Sequence, residues 1–229
     1  MKRGLGIAGA EVAWLTFGLL VLVLGWDAAG LDLPFARLAG SSDGFPWREH
    51  WLLAVVLHEG GRRVSWLLAL GLCLAVWWPI GPLDRLPQSR RLQLATTTLL
   101  AALAVSLLKV GSHTSCPWEL SDFGGLAHYA SHWTLRPDGG TGHCFPAGHA
   151  ASGFSFLGGF FAFRPDDART ARRWLAGALS GGLVLGLAQQ WRGAHFMSHT
   201  LWTAAICWCI ALAVDAGWPR AWTTGGILK

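Results

Sequence analysis

The sequence predicts an all-α membrane protein that folds as a bundle of six transmembrane helices. Of its 229 residues, 52% are hydrophobic and only 14% are charged, whereas a soluble domain carries about 25% charged residues. This composition excludes a disordered chain and a coiled coil, and it disfavours an ordinary soluble enzyme. The 15 Trp residues against one Tyr suit a chain with many membrane–water interfaces, where indole rings settle.

The net charge of +5 is carried by short clusters of Lys and Arg between the apolar stretches. Such clusters are typical of residues that orient membrane helices, and they do not form the continuous basic patch of a nucleic-acid-binding protein. The lipid bilayer is therefore the predicted environment, and no nucleic acid is expected as a partner.

Each predicted span is an apolar stretch that approaches the roughly 20 residues needed to cross a bilayer. The first, 4–26, follows Met1-Lys2-Arg3 and is predicted to persist as a helix, because it is not closed by the small-residue cleavage site of a signal peptide. The other spans are predicted at 64–78, 92–108, 150–163, 174–191 and 200–214.

The segments between the spans differ in character. Residues 27–50 contain Pro34 and Pro46 and are predicted as a loop. Residues 51–63 are predicted as a short helix that lies in the membrane interface. The polar stretch 110–148 is the one long loop, and the whole chain, 1–229, is expected to form a single membrane-embedded domain.

The distribution of Lys and Arg predicts the orientation. The tight basic clusters at 85–91 and 164–173 belong on the cytoplasmic side by the positive-inside rule. Both termini then lie in the cytoplasm, and the long loop lies outside together with the adjoining helix ends.

Three stretches with reactive side chains lie at these outer helix ends. The first runs from Lys109 to Cys116-Pro117-Trp118, the second from Cys144 to His149, and the third from Arg192 to His199. Ionisable residues at membrane depth are costly and are functional candidates by default. An active site that faces outward is therefore predicted where the three stretches meet.

The three stretches resemble the motifs of the type 2 phosphatidic acid phosphatase superfamily, which includes membrane-bound lipid phosphatases. The family pattern is Lys-x6-Arg-Pro, then Pro-Ser-Gly-His, then Ser-Arg-x5-His-x3-Asp. Here Lys109 precedes Cys116-Pro117 by the same spacing, Pro146 to His149 supply the second motif, and His195 and His199 stand in the third. The chain is similar to a divergent bacterial member of this superfamily.

The resemblance implies a function and a mechanism. The chain would hydrolyse a phosphate or pyrophosphate group of a membrane lipid at the periplasmic face of the bacterial inner membrane, without a metal or other cofactor. His195 would attack phosphorus as a neutral imidazole, and His149 would protonate the leaving oxygen. Lys109 and Arg192 would neutralise the phosphoryl oxygens, and Gly148 would let backbone N–H groups approach them.

The implied substrates share a phosphate on a lipid and differ in its headgroup. They are undecaprenyl pyrophosphate, phosphatidic acid, phosphatidylglycerol phosphate and lipid A. The sequence does not fix the headgroup or the oligomeric state.

Four positions depart from the family pattern, namely Cys116, Ala147, Gln189 and His199. They replace two Arg, one Ser and the Asp that orients the nucleophile. Arg192 lies three residues after Gln189, and is expected to replace one guanidinium because both positions share a helix face. His199 would accept the ring N–H of His195, and acidic residues of the loop, Glu119 or Asp122, would supply the missing charge.

Two states of the loop cysteines remain open, a disulfide or free thiols. Cys116 and Cys144 are the only cysteines in the long loop, and in an oxidising periplasm they would form a disulfide; otherwise they are free thiols. A zinc site is an alternative, because these cysteines share the loop with four histidines and His195 and His199 have the i, i+4 spacing of metal ligands. The loop histidines are His113, His128, His132 and His143.

Three other functions remain open at this point. The first is a phosphotransferase that passes the phosphoryl group to a hydroxyl instead of water. The second is a protein that binds or transports lipid phosphates without catalysis, and the third is a metal-dependent membrane hydrolase.

Overall fold

The computed structural model describes residues 9–134 and 136–219. Within them the chain is all-α, and no strand forms beyond two isolated bridges. The start of the first predicted span and both termini, whose location in the cytoplasm was predicted, lie outside the described residues. The helices are α1 (Gly9–Ala28), α2 (Asp32–Ala36), a π-helix (Leu52–Gly60), α3 (Gly61–Leu74), α4 (Gln88–Val110), α5 (Gly148–Phe154), α6 (Gly158–Phe163), α7 (Ala168–Trp191) and α8 (Met197–Gly217).

Three of these helices are long and apolar enough to cross a membrane, namely α1, α4 and α8. They differ in how deeply they are buried in the bundle. Only 11% of the apolar stretch of α1 is buried inside the protein, against 61% of that of α8. Large apolar side chains on α3, including Trp66 and Leu67, are also exposed. An aqueous protein rarely exposes contiguous surface of this kind, so the fold supports membrane association.

The segment 51–74 differs from its prediction. The expected interfacial helix and the following span are one continuous helix, because the residues at the junction, Gly60 and Gly61, both keep right-handed helical dihedral angles. The first part of this helix is π-helical, from Leu52 to Gly60. The predicted boundary at Arg63 is therefore wrong, since no helix-breaking residue stands there.

Small residues let α5 and α7 approach each other closely. A Cβ atom on Gly153 would clash with the backbone of Gly182, and one on Gly182 would clash with the ring of Phe154. Small residues at helix interfaces are the usual means of close packing inside membranes. This contact fixes the position of α5, whose first turn carries His149.

A buried polar cluster joins the opposite end of the bundle. The carboxylate of Asp215 on α8 accepts hydrogen bonds from Arg90 (3.2 Å) and Gln93 (2.9 Å) on α4, and from Arg164 (2.8 Å) just after α6. All these groups lie where water cannot solvate them well, and a buried charge is tolerated only when it is paired. The cluster therefore holds three helices in register from the end opposite the predicted motifs.

The other end of the bundle is ordered by carboxylates of the loops. Asp32 accepts hydrogen bonds from the backbone N–H (3.0 Å) and the hydroxyl of Ser198, in the first turn of α8. In the long loop, Asp138 accepts one from the backbone N–H of Ser115 (2.7 Å), and Glu119 accepts one from the hydroxyl of Thr141 (2.6 Å). The predicted loop is thus irregular but firmly held.

Removing the carboxylate of Asp215 is expected to destabilise the bundle. The Asp215→Ala variant leaves two buried guanidinium groups without their partner, which costs about 3 kcal/mol or more. Thermal unfolding in detergent should show a clearly lower Tm than for Asp84→Ala, which removes an exposed carboxylate near the same end. Equal melting temperatures of the two variants would contradict the structural role of the cluster.

Candidate active site

The three predicted motif segments meet at one end of the bundle, and each contacts the other two. Cys116 of the first segment is bonded to Cys144 of the second. The backbone N–H of Trp118 donates to the carbonyl of Gly193 in the third segment (3.0 Å), and that of Ala147 donates to the carbonyl of His199 (3.4 Å). The fold therefore assembles residues that are up to 90 positions apart in sequence.

The disulfide lies against the two histidines of the third motif. Cys144 is fully buried, and its Sγ lies 3.5 Å from Nδ1 of His195. Nitrogen and sulfur atoms of Cys144, His195 and His199 fall within 4.8 Å of one another, as in a metal site. However, the sulfur of Cys144 is already bonded to Cys116, so it is not the thiolate that zinc requires.

Lys109 and His149 border a common cavity. The cavity has a volume of about 370 Å³ and lies between α3, α4 and α5, with Lys109, Gly148 and His149 at one end. A Cβ atom on Gly148 would lie 3.8 Å from Cδ of Lys109, so the lysine side chain extends across the start of α5. A cation and an imidazole thus face a space large enough for a phosphate group.

His195 is buried in the turn between α7 and α8, with only 3% of its surface exposed. Burial lowers the pKa of His195 well below its ordinary value, and the positive charge of Lys109 acts in the same direction. His195 is therefore a neutral imidazole at neutral pH. A neutral ring keeps the lone pair that a nucleophile needs.

Arg192 lies at the end of α7 and is held by two acceptors. Its Nε donates to the backbone carbonyl of Arg48 (2.8 Å), and its terminal nitrogen donates to Oε1 of Gln189 (3.2 Å). Gln189, at the position of a family Arg, is fully buried and thereby orients the guanidinium one turn further along the helix. The expected proximity of the two residues is present.

Ala147 occupies the family's Ser position, and only its backbone forms hydrogen bonds. Its N–H donates to Oγ1 of Thr203 (2.9 Å), and its side chain is buried. The residue fixes the start of α5 against α8. This N–H is already engaged, so any backbone N–H offered to a ligand comes from Gly148 or the residues after it.

The loop carboxylates do not replace the missing Asp. Glu119 accepts hydrogen bonds within the loop, and Asp122 pairs with Arg37 at the surface (3.0 Å). The expectation that either of them faces the histidines is therefore wrong. Both carboxylates satisfy donors of the loop backbone or the surface, and this is a use that spacing along the chain does not reveal.

Instead, the carboxylate of Asp27 on α1 contacts a histidine that packs against His199. Oδ2 of Asp27 lies 3.3 Å from Nε2 of His132, whose ring stands edge-on to that of His199 with centroids 6.0 Å apart. The His199 ring in turn lies 5.8 Å from that of His195. Asp27 also accepts hydrogen bonds from the indoles of Trp133 and Trp202.

Sequence reasoning did not place three neighbours of this site. Asp27 carries no motif and His132 was considered only as a zinc ligand, and the fold alone brings them next to His199. His58, on the π-helix, stacks on His149 with ring centroids 3.8 Å apart. The one available signal was the presence of ionisable residues inside an apolar helix, His58 among them, since such residues need a reason to be there.

Comparison with known proteins gives one match. A family model described as the PAP2 superfamily matches residues 90–222, which is more than half of the chain and contains all three motif segments. No curated protein and no solved structure matches the chain. The family match agrees with the resemblance drawn from the motifs.

The lowered pKa of His195 gives an expected pH dependence. In a protein labelled with ¹³C-histidine and purified in detergent, the ring resonance of His195 should titrate with a midpoint below the ordinary value of about 6.5. The neutral form then persists as the pH falls through that value. Assignment uses the resonance that disappears in His195→Gln, and a midpoint at or above 6.5 would contradict the buried, neutral state.

Proposed function

The chain belongs to the PAP2 superfamily, whose members are generally phosphatases, and on this premise we propose that it is an integral-membrane lipid phosphatase that acts through a phosphohistidine. The observation that carries the proposal is the convergence of the three motif segments at one end of the bundle through direct contacts. Lys109 and His149 line one cavity there, and Arg192 and His195 belong to the segment packed beside it.

In the first step, His195 attacks the phosphorus atom of the lipid phosphate. Its Nδ1 lies against the sulfur of Cys144, so Nε2 is the nitrogen that forms the N–P bond. The bond from phosphorus to the leaving oxygen breaks as His149, which enters this step as the imidazolium, gives that oxygen a proton and becomes neutral. Lys109 and Arg192 stabilise the charge that spreads over the phosphoryl oxygens.

In the second step, water replaces the lipid. His149 now acts as a base and takes a proton from the water as its oxygen attacks phosphorus, and the N–P bond breaks to release inorganic phosphate and regenerate neutral His195. Nothing in this cycle needs a metal ion, since the cations are side chains. If a hydroxyl of a sugar or lipid took the place of water, the same intermediate would perform phosphotransfer.

The proposed setting is a bundle of six membrane crossings with the site on the periplasmic side of a bacterial inner membrane. The crossings would be α1, the continuous helix 52–74, α4, the segment 148–163, α7 and α8. Support comes from the basic clusters near the opposite end of the bundle, and from the disulfide, which persists in an oxidising compartment. The substrate would carry its phosphate at the lipid headgroup, at the depth of these helix ends.

His195→Ala is expected to abolish phosphate release. The assay uses purified protein in detergent with EDTA, and a panel of undecaprenyl pyrophosphate, phosphatidic acid, phosphatidylglycerol phosphate and lipid A. The matched control is His113→Ala, which removes an exposed histidine of the long loop and should keep wild-type activity.

Three results would oppose the proposal. Residual activity of His195→Ala above about a tenth of wild type would contradict its role as nucleophile. Loss of wild-type activity in EDTA and its return with zinc would indicate a metal-dependent hydrolase. Binding of the lipids without turnover would indicate a lipid-phosphate binding protein.

A further inference from the structure

The helix that precedes the family-matched region lies directly against the site. This continuous helix, residues 52–74, contacts α4, α5 and α7, yet none of it falls within the matched residues 90–222. Its first part is a π-helix, a rare form that is frequent at functional sites. Two of its side chains, His58 and Arg62, reach the groups assigned above to phosphate transfer.

His58 covers one face of His149. The two imidazole rings are stacked, with centroids 3.8 Å apart and planes inclined by 26°. Nε2 of His149 is buried and has no hydrogen-bond partner in the described part of the chain. The stack is therefore a contact that fixes the plane of this ring, and the ring's direction decides where its proton is delivered.

Arg62 lies one turn beyond His58 and lines the same cavity as Lys109, Gly148 and His149. Its guanidinium is held by Glu59, one turn back on the same helix, at 2.9 Å. Both side chains of this ion pair are more than one-third exposed, so the pair is weak. A dianionic phosphate in the cavity would therefore compete successfully for the guanidinium.

The charge balance of the site gives Arg62 a role. Relative to the family pattern, guanidinium groups are absent at Cys116 and Gln189, and Arg192 makes up for one of them at most. A guanidinium binds two phosphate oxygens at once in a fixed geometry. Among the described residues that line the cavity with Lys109 and His149, Arg62 is the arginine, whereas Arg192 does not line it.

We propose that the helix before the family-matched region completes this active site, with Arg62 binding the phosphate of the substrate and His58 positioning the ring of His149. The inference rests on the proposed phosphatase function and adds two residues to it. It makes the segment 52–62 part of the catalytic unit, so that residues 90–222 alone do not contain the whole site.

The phosphate-binding role is tested with orthovanadate, a phosphate mimic whose binding does not require turnover. Titration calorimetry on the full chain in detergent compares wild type, Arg62→Gln and the matched control Arg63→Gln. Arg63 is exposed on the neighbouring position of the same helix, so both variants lose the same charge. Arg62→Gln should raise the Kd for vanadate and the KM for lipid phosphate by about tenfold or more, and Arg63→Gln should change neither more than about twofold.

The outcomes separate this inference from the function on which it rests. Equal affinities of the two variants, with wild-type hydrolysis intact, would overturn the role of Arg62 and leave the phosphatase standing. A wild-type protein that neither binds vanadate nor hydrolyses any lipid phosphate would overturn both. A Kd raised only in Arg62→Gln, at an unchanged Tm, is the result that we expect.

The positioning role of His58 is tested by a pair of variants. His58→Ala removes the stacked ring and should lower kcat about tenfold with little change in KM, because His149 then delivers its proton from a less fixed orientation. His58→Phe restores a flat ring and should recover most of the lost kcat. Equal kcat values of the Ala and Phe variants, or a change in KM alone, would overturn this role.

Discussion

The bond between Cys116 and Cys144 is the constraint on which the site depends. It closes a loop across 28 residues, which by the chain-entropy account stabilises the folded state by about 3 to 4 kcal/mol. It joins the segment after α4 to the segment before α5, and places the sulfur of Cys144 beside His195. Backbone hydrogen bonds from His143 to Ser112 (2.8 Å) and from Cys144 to Thr114 (2.9 Å) join the same two segments, and the disulfide adds a covalent link between them. Cys116, which stands where the family carries an arginine, therefore has a structural role.

The loss of arginines from the motif positions changes where the positive charges of the site lie, but cationic side chains are still present. Gln189 no longer binds a ligand by charge, but it orients Arg192 at the end of the same helix. A carboxylate of α1, that of Asp27, lies beside His132, whose ring packs against that of His199. In the site as proposed, Arg192 and Arg62 stand in for the two arginines that the motif positions lack. On this proposal the N-terminal helices contribute to the site as well as to membrane association.

Much of this arrangement follows from the sequence, because helix lengths and apolar patterning are local properties. All six predicted spans overlap helical segments of the structure, the second one as part of a longer helix, and the pairing of Arg192 with Gln189 follows from their spacing on one helix. The continuity of the helix across 51–63 and 64–78 could not be predicted, since charged residues at a π-helical turn have the pattern of an interfacial segment. The contacts of His58 on His149 and of Asp27 on His132 also escaped, because they join residues more than 90 positions apart and no motif spacing encodes them.

The central claim is that phosphate passes through His195. The most direct measurement is rapid quenching of the purified protein with a ³²P-labelled lipid phosphate, followed by proteolysis at alkaline pH and mass spectrometry of the labelled peptide. The account predicts an acid-labile phosphoryl group on His195 in wild type, and no labelled peptide in His195→Gln. Turnover of the lipid with no label on the protein, or a label on His149 or His199 instead, would contradict the account.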